Sequence, residues 1–165
     1  MVKISNTITL ARILGIPVFL VLLSSSVPRW IPALAFGLLA ATDLLDGRLA
    51  RRNNEVSKTG AVLDPLADKL LVSSALVFLI GNGVDAWMAF VIIAREFIVT
   101  AVRALAPSII HANKLAKLKT FVQMVAVVAV IMTLPYAWWG MLAATIITIV
   151  SGLQYLWVAR KNIQL

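Results

Sequence analysis

Cysteine is absent from the chain and histidine occurs once, at His111. Disulfides, thiolate nucleophiles and zinc–thiolate sites are therefore excluded. His111 lies in a loop with no nucleophile to partner it, and reads as a surface residue. Charge is scarce as well: 13% of residues are charged, against roughly 25% in ordinary globular chains. Acids are rarest, with 7 Asp and Glu against 15 Lys and Arg. A soluble enzyme with a wet surface cannot be built from this composition. What the chain has in excess is apolar residues, 61% of its 165 positions. A membrane span takes about 20 of them, so the length leaves room for five or six spans and no separate aqueous domain.

Apolar runs divided by turn chemistry predict six helices, near residues 7–25, 30–52, 60–81, 85–106, 115–134 and 136–160. The breaks fall at Ser24-Ser25-Ser26-Val27-Pro28, Asn53-Asn54, Gly81-Asn82-Gly83, Pro107-Ser108 and Pro135. The expected fold is an all-α integral membrane protein: one domain over residues 1–165, a bundle of six transmembrane helices with both termini cytoplasmic. Thirteen of the 15 basic residues then fall on the side of the termini, namely Lys3, Arg12, Arg48, Arg51, Arg52, Lys58, Lys69, Arg103, Lys114, Lys117, Lys119, Arg160 and Lys161. Arg29 alone is opposite, and Arg95 falls mid-span. That asymmetry marks the basic side as cytoplasmic, and Trp30, Trp87, Trp138 and Trp139 mark the other interface. The basic excess is thus topological, which excludes a nucleic-acid partner. Lys3, Arg12 and the run Ile13–Leu23 also resemble a signal peptide, but cleavage would break the charge parity, so the first helix is expected to be retained.

Four of the five aspartates lie between positions 43 and 68. Asp43 and Asp46 are three apart on the second helix, and Asp64 and Asp68 are four apart on the third, so each pair shares a face. Acids inside a membrane are costly and functional by default. Two carboxylates about 5 Å apart repel by roughly 3 kcal/mol at an effective dielectric of about 20, and four together need cations or protons. One solution is a salt-bridge cluster with Arg48, Arg51, Arg52 and Lys69. A better one is a metal site, because hard oxygen ligands without His or Cys select Mg²⁺, Mn²⁺ or Ca²⁺, and two divalent ions balance four aspartates. A cation relay would also use intramembrane acids, but would spread them through the bilayer rather than gather them at one end. Between the acids, Gly47 and Ala50 are about one turn apart and leave a small-residue strip that suits a base or ribose, or by itself close helix packing. Arg51 lies about 12 Å along the axis from Asp43, a distance that suits a nucleotide with its diphosphate lying along the helix.

The run reads Asp43-x2-Asp46-Gly47-x2-Ala50-Arg51-x8-Gly60-x3-Asp64-x3-Asp68. It resembles the signature of the CDP-alcohol phosphotransferases at all eight fixed positions. Within that family the chain is similar to bacterial members that take CDP-diacylglycerol as donor and glycerol-3-phosphate as acceptor. The likeness rests on Asn6–Arg12, Leu63–Lys69, Ala94–Val99, Lys117–Met124 and Leu153–Leu156. Ala104, Ala116 and a short loop before Lys114 depart from the pattern.

The resemblance implies a homodimeric enzyme of the inner membrane with its active site facing the cytoplasm and two Mg²⁺ or Mn²⁺ ions as cofactor. It implies that Asp43, Asp46 and Asp64 hold the metals with help from Asp68, and that Asp68 is the general base. Gly47, Ala50, Arg51 and Gly60, with Asn6, Thr9 and Arg12 from the first helix, would seat the CDP group. The acceptor carries a phosphate and needs cations. Arg95 and Arg103 lie eight apart on the fourth helix, and Lys117 and Lys119 open the fifth. Lys114 and Lys161 suit anchoring to anionic headgroups instead. The same chemistry with inositol phosphate or phosphatidylglycerol as acceptor, and a small cation transporter, are the competing expectations.

Overall fold

A computed structural model describes the backbone of residues 4–53, 60–105 and 114–162, and the side chains of residues 10–42, 67, 69–102, 118–158 and 160. Six helices account for nearly all of it: α1 (Ile4–Ser24), α2 (Trp30–Asn53), α3 (Gly60–Phe78), α4 (Ala86–Leu105), α5 (Lys114–Ile131) and α6 (Ala137–Asn162). Among the described residues there is no strand beyond an isolated bridge between Ile80 and Val84.

Two of the expected helices end early, and the backbone gives the reason. The third stops at Phe78 rather than at 81, because Gly81 and Gly83 take φ of +80° and +100° in the turn that follows. The Gly81 amide donates to the Val84 carbonyl at 3.0 Å and closes that turn. A Cβ on Gly83 would also lie 3.0 Å from Val130 Cγ1, so both the backbone angle and the close approach favour glycine there. The fifth stops at Ile131 rather than at 134. Thr133 adopts φ of 51° and the Leu134 amide reaches back to the Ala129 carbonyl at 3.0 Å. That is a Schellman closure one residue ahead of Pro135.

The chain forms two compact units. The first, Met1–Phe78 with Ile131–Thr133, contains α1, α2 and α3, which pack on one another. Its interior follows helical spacing: Arg12, Ile16, Phe19 and Leu23 on α1, Ala33, Phe36 and Ala40 on α2, and Ala67, Leu71 and Ala75 on α3 are all buried. The rings of Phe19 and Phe36 meet at 5.6 Å between centroids with a 47° tilt. A Cβ on Gly15 would fall 2.7 Å from Leu39 Cδ2, so the glycine lets α1 approach α2 closely.

The second unit, Leu79–Val130 with Leu134–Leu165, contains α4 and α6, packed together, and all but the last residue of α5. Met88, Ile92 and Val99 on α4, Ala126, Val127 and Val130 on α5, and Met141 and Ala144 on α6 are buried. Asp85 precedes α4, its carbonyl accepting from Ala89, and its carboxylate accepts from Trp138 Nε1 at 3.1 Å.

Every helix also leaves large apolar side chains exposed. Leu14, Val18 and Val21 on α1, Leu38 on α2, Phe90 on α4, Phe121 on α5 and Leu153 on α6 are examples. Surfaces of this kind are stable against lipid and not against water. Trp30, Trp87, Trp138 and Trp139 are exposed as well. Ala137–Val158 is the one stretch among the described residues both long and apolar enough to cross a membrane; Leu10–Ser24, Trp30–Thr42, Lys69–Phe78 and Leu118–Ile131 are shorter apolar helices.

Candidate active site

The aspartate signature lies on the C-terminal half of α2 and the N-terminal half of α3, two helices in contact within the first unit. The side chains of Asp43, Asp46, Gly47, Ala50, Arg51, Asp64 and Asp68, and of Asn6, Thr9, Arg103 and Lys117, lie outside the described residues, as does His111. Gly60 is the first residue of α3. By position alone, Asp43 continues the spacing of the buried Phe36 and Ala40, and Asp64 and Asp68 continue that of Leu71 and Ala75. Among the described residues no group of three or more His, Cys, Asp or Glu could hold a metal ion.

Arg12 is the described member of the expected CDP site. It is 2% exposed, an unusual burial for an arginine, and it occupies the core stripe of α1 four residues before Ile16. Its Nε donates to Thr42 Oγ1 at 3.2 Å. The Thr42 hydroxyl in turn donates to the Leu39 carbonyl at 2.7 Å, so its donor and one acceptor site are both used. Thr42 immediately precedes Asp43. The helix packing therefore carries a fixed positive charge to the point on α2 where the signature begins.

The structure brings two of the four expected acceptor cations together in the second unit. Arg95 Nη1 contacts Glu96 Oε1 at 3.4 Å, and Lys119 Nζ forms an ion pair with that same oxygen. Arg95 Nη2 donates to Ser151 Oγ at 3.0 Å, which ties α4 to α6. Ser151 donates to the Thr148 carbonyl at 3.1 Å. Gly152 makes room for the arginine stem: a Cβ there would lie 3.0 Å from Arg95 Cγ. In the same unit Arg95 Nε, Gln123 Oε1 and Thr148 Oγ1 are buried without a hydrogen-bond partner, Gln123 four residues after Lys119 and Thr148 three before Ser151. A buried donor and two buried acceptors of this kind suit a polar guest.

Sequence reasoning named Arg95 and Lys119 but gave no role to Thr42, Ser151, Gly152, Gln123 or Thr148. For Glu96 a signal was available: it is the sole acidic residue after Asp85, and a carboxylate in an apolar run needs a partner. Thr42 and Ser151 carried no such signal, since a single hydroxyl in an apolar helix usually bonds to its own backbone.

Comparison with known proteins agrees with the signature. The sequence model of the family described as CDP-alcohol phosphatidyltransferase matches residues 2–150. The chain is 37% identical to the CDP-diacylglycerol–glycerol-3-phosphate 3-phosphatidyltransferase of Bacillus subtilis, over 98% of this chain and 99% of the relative. Proteins of the same name from Rickettsia typhi and Pseudomonas fluorescens are 42% and 37% identical, covering 76% and 92% of this chain and 74% and 84% of theirs.

Proposed function

The chain belongs to the CDP-alcohol phosphatidyltransferase family and is a transferase of phospholipid biosynthesis, and from that premise we propose that it transfers the phosphatidyl group of CDP-diacylglycerol to glycerol-3-phosphate, releasing CMP. The observation that carries the reading is the complete Asp43–Asp68 signature in a chain that aligns along its whole length with a relative named for this reaction. A membrane-embedded enzyme fits the lipid donor and the apolar surfaces of the helices. Six spans, cytoplasmic termini, a single domain, an active site on the cytoplasmic side of the inner membrane and a homodimer belong to the same proposal.

The family is in general dependent on divalent metals. The donor set on α2 and α3 suits such ions: four carboxylates on two packed helices of one unit, with no imidazole or thiolate in the signature. Asp43, Asp46, Asp64 and Asp68 would hold two Mg²⁺ or Mn²⁺ ions. When bound, such ions supply Lewis-acid stabilisation of the charge that develops on phosphorus.

The remaining work falls to side chains of the chain. Gly47, Ala50 and Gly60 leave space for the cytidine, with Asn6 and Thr9 beside it, and Arg51 and Arg12 bind the diphosphate. Asp68 accepts the proton of the attacking glycerol hydroxyl. That oxygen bonds to the lipid-side phosphorus as the bond from the same phosphorus to the CMP oxygen breaks. Arg95, Arg103, Lys117 and Lys119 bind the phosphate that the acceptor keeps.

The test is direct. Purified chain is given CDP-diacylglycerol with glycerol-3-phosphate, inositol phosphate, phosphatidylglycerol or glycerol, with and without Mg²⁺ or Mn²⁺, and CMP is measured. Release with glycerol-3-phosphate is expected. Release only with a non-phosphorylated alcohol overturns the acceptor, and ion flux in liposomes without CMP overturns the enzyme.

A further inference from the structure

Glu96 lies in the interior register of α4, four residues after Ile92 and three before Val99, and its side chain is 18% exposed. One of its oxygens serves both Arg95 and Lys119, whose side chains are 13% and 4% exposed. Burying an ion cluster packs helices no better than apolar side chains of equal volume would, so packing alone does not account for three charges here. Two further details point to a guest. Arg95 is held at Nη1 by Glu96 and at Nη2 by Ser151, while its buried Nε has no partner. Two buried acceptors without partners, Gln123 Oε1 and Thr148 Oγ1, lie one helical turn from Lys119 and from Ser151 respectively. A phosphate monoester bearing hydroxyls offers acceptors for the first and donors for the others.

We propose that Glu96 is a positioning residue for the acceptor: it holds Arg95 and Lys119 against a common oxygen, so that the two cations receive the acceptor phosphate as a preformed pair. The inference rests on the reading of the acceptor as a phosphorylated alcohol. Without the carboxylate the two cations repel and separate, and binding of the phosphate must first bring them back together. Gly152 serves the same end from α6, because its missing Cβ fixes where the Arg95 stem lies.

The experiment compares wild-type chain with Glu96→Gln, Glu96→Asp and Gly152→Ala, reconstituted in lipid, varying glycerol-3-phosphate and CDP-diacylglycerol separately and recording the melting midpoint of each. Losing one charge-assisted contact corresponds to roughly a ten- to hundred-fold effect. Glu96→Gln is expected to raise KM for glycerol-3-phosphate by about that factor with KM for CDP-diacylglycerol little changed, and to lower the midpoint because two buried cations lose their carboxylate. Glu96→Asp is expected to restore most of both losses. An unchanged KM for glycerol-3-phosphate overturns the inference, as does an equal rise in both KM values. Should Glu96→Gln fail to fold, Gly152→Ala, which keeps every charge, carries the test on the same criteria. A wild-type chain inactive toward glycerol-3-phosphate but active toward an alcohol without phosphate refutes the acceptor reading itself, whereas an active wild type with unaltered variants refutes only the role of Glu96.

Discussion

Replacing Thr42 by Val tests whether Arg12 acts on the donor from its buried position. The substitution keeps the shape and β-branching of the side chain and removes only the hydroxyl that accepts from Arg12 Nε at 3.2 Å. The hydroxyl's other bond, to the Leu39 carbonyl, is a local one within α2, and that carbonyl keeps its helical partner. The net loss is therefore one hydrogen bond from a charged group, which contributes about 1.5–3 kcal/mol, and the long distance argues for the lower end. About 1.4 kcal/mol corresponds to a ten-fold change in rate. Thr42→Val is thus expected to lower kcat/KM for CDP-diacylglycerol by up to about ten-fold, the limit reached when all of that energy holds Arg12 in its donor-binding position, while leaving KM for glycerol-3-phosphate unchanged. Thr42→Ser retains the hydroxyl and should stay within about two-fold of wild type. The assay is CMP release at varied CDP-diacylglycerol and saturating acceptor. Equal activity of the Val and Ser variants would refute the reasoning, since Arg12 would then owe nothing to its anchor on α2.

Asp68→Asn is expected to abolish turnover while largely sparing CDP-diacylglycerol binding, measured as equilibrium binding of the labelled lipid; equal loss of both would make Asp68 chiefly a metal ligand. Gly83→Ala meets both a φ of +100° and Val130 Cγ1 at 3.0 Å, and should destabilise the protein by about 1–3 kcal/mol, seen as a lower melting midpoint. Gly140→Ala, where an added Cβ meets nothing within 4 Å, should leave the midpoint unchanged or raise it.

The six helices and the family signature are legible in the sequence because they depend on local pattern. Asp43, Asp46, Asp64 and Asp68 stand out against an apolar background, and the spacing within each pair is a property of one helix. The ends of α3 and α5 were less legible. Leu79, Ile80, Met132 and Leu134 are as apolar as the helices they follow, and it is the left-handed backbone at Gly81, Gly83 and Thr133 that stops the helices. Partnership across the fold was least legible. Nothing in the local pattern of Arg95 points to Ser151, 56 residues later, and nothing in that of Arg12 points to Thr42. Those pairings come from which faces the helices bury, and burial faces are decided by packing rather than by any one helix. Arg12 was the partial exception, since it falls in step with Ile16, Phe19 and Leu23.

The central claim is that the four aspartates of α2 and α3 form a two-ion site around an activated headgroup. Titrating purified chain with Mn²⁺ and following the ion by its paramagnetic signal tests it most directly, in wild type and in a chain carrying Asp43→Asn with Asp64→Asn. About two ions bound per chain, magnetically coupled and lost together in the double variant, is the predicted result. Mn²⁺ binding that survives the double substitution, or CMP release from CDP-diacylglycerol in a chain stripped of divalent ions, would contradict it.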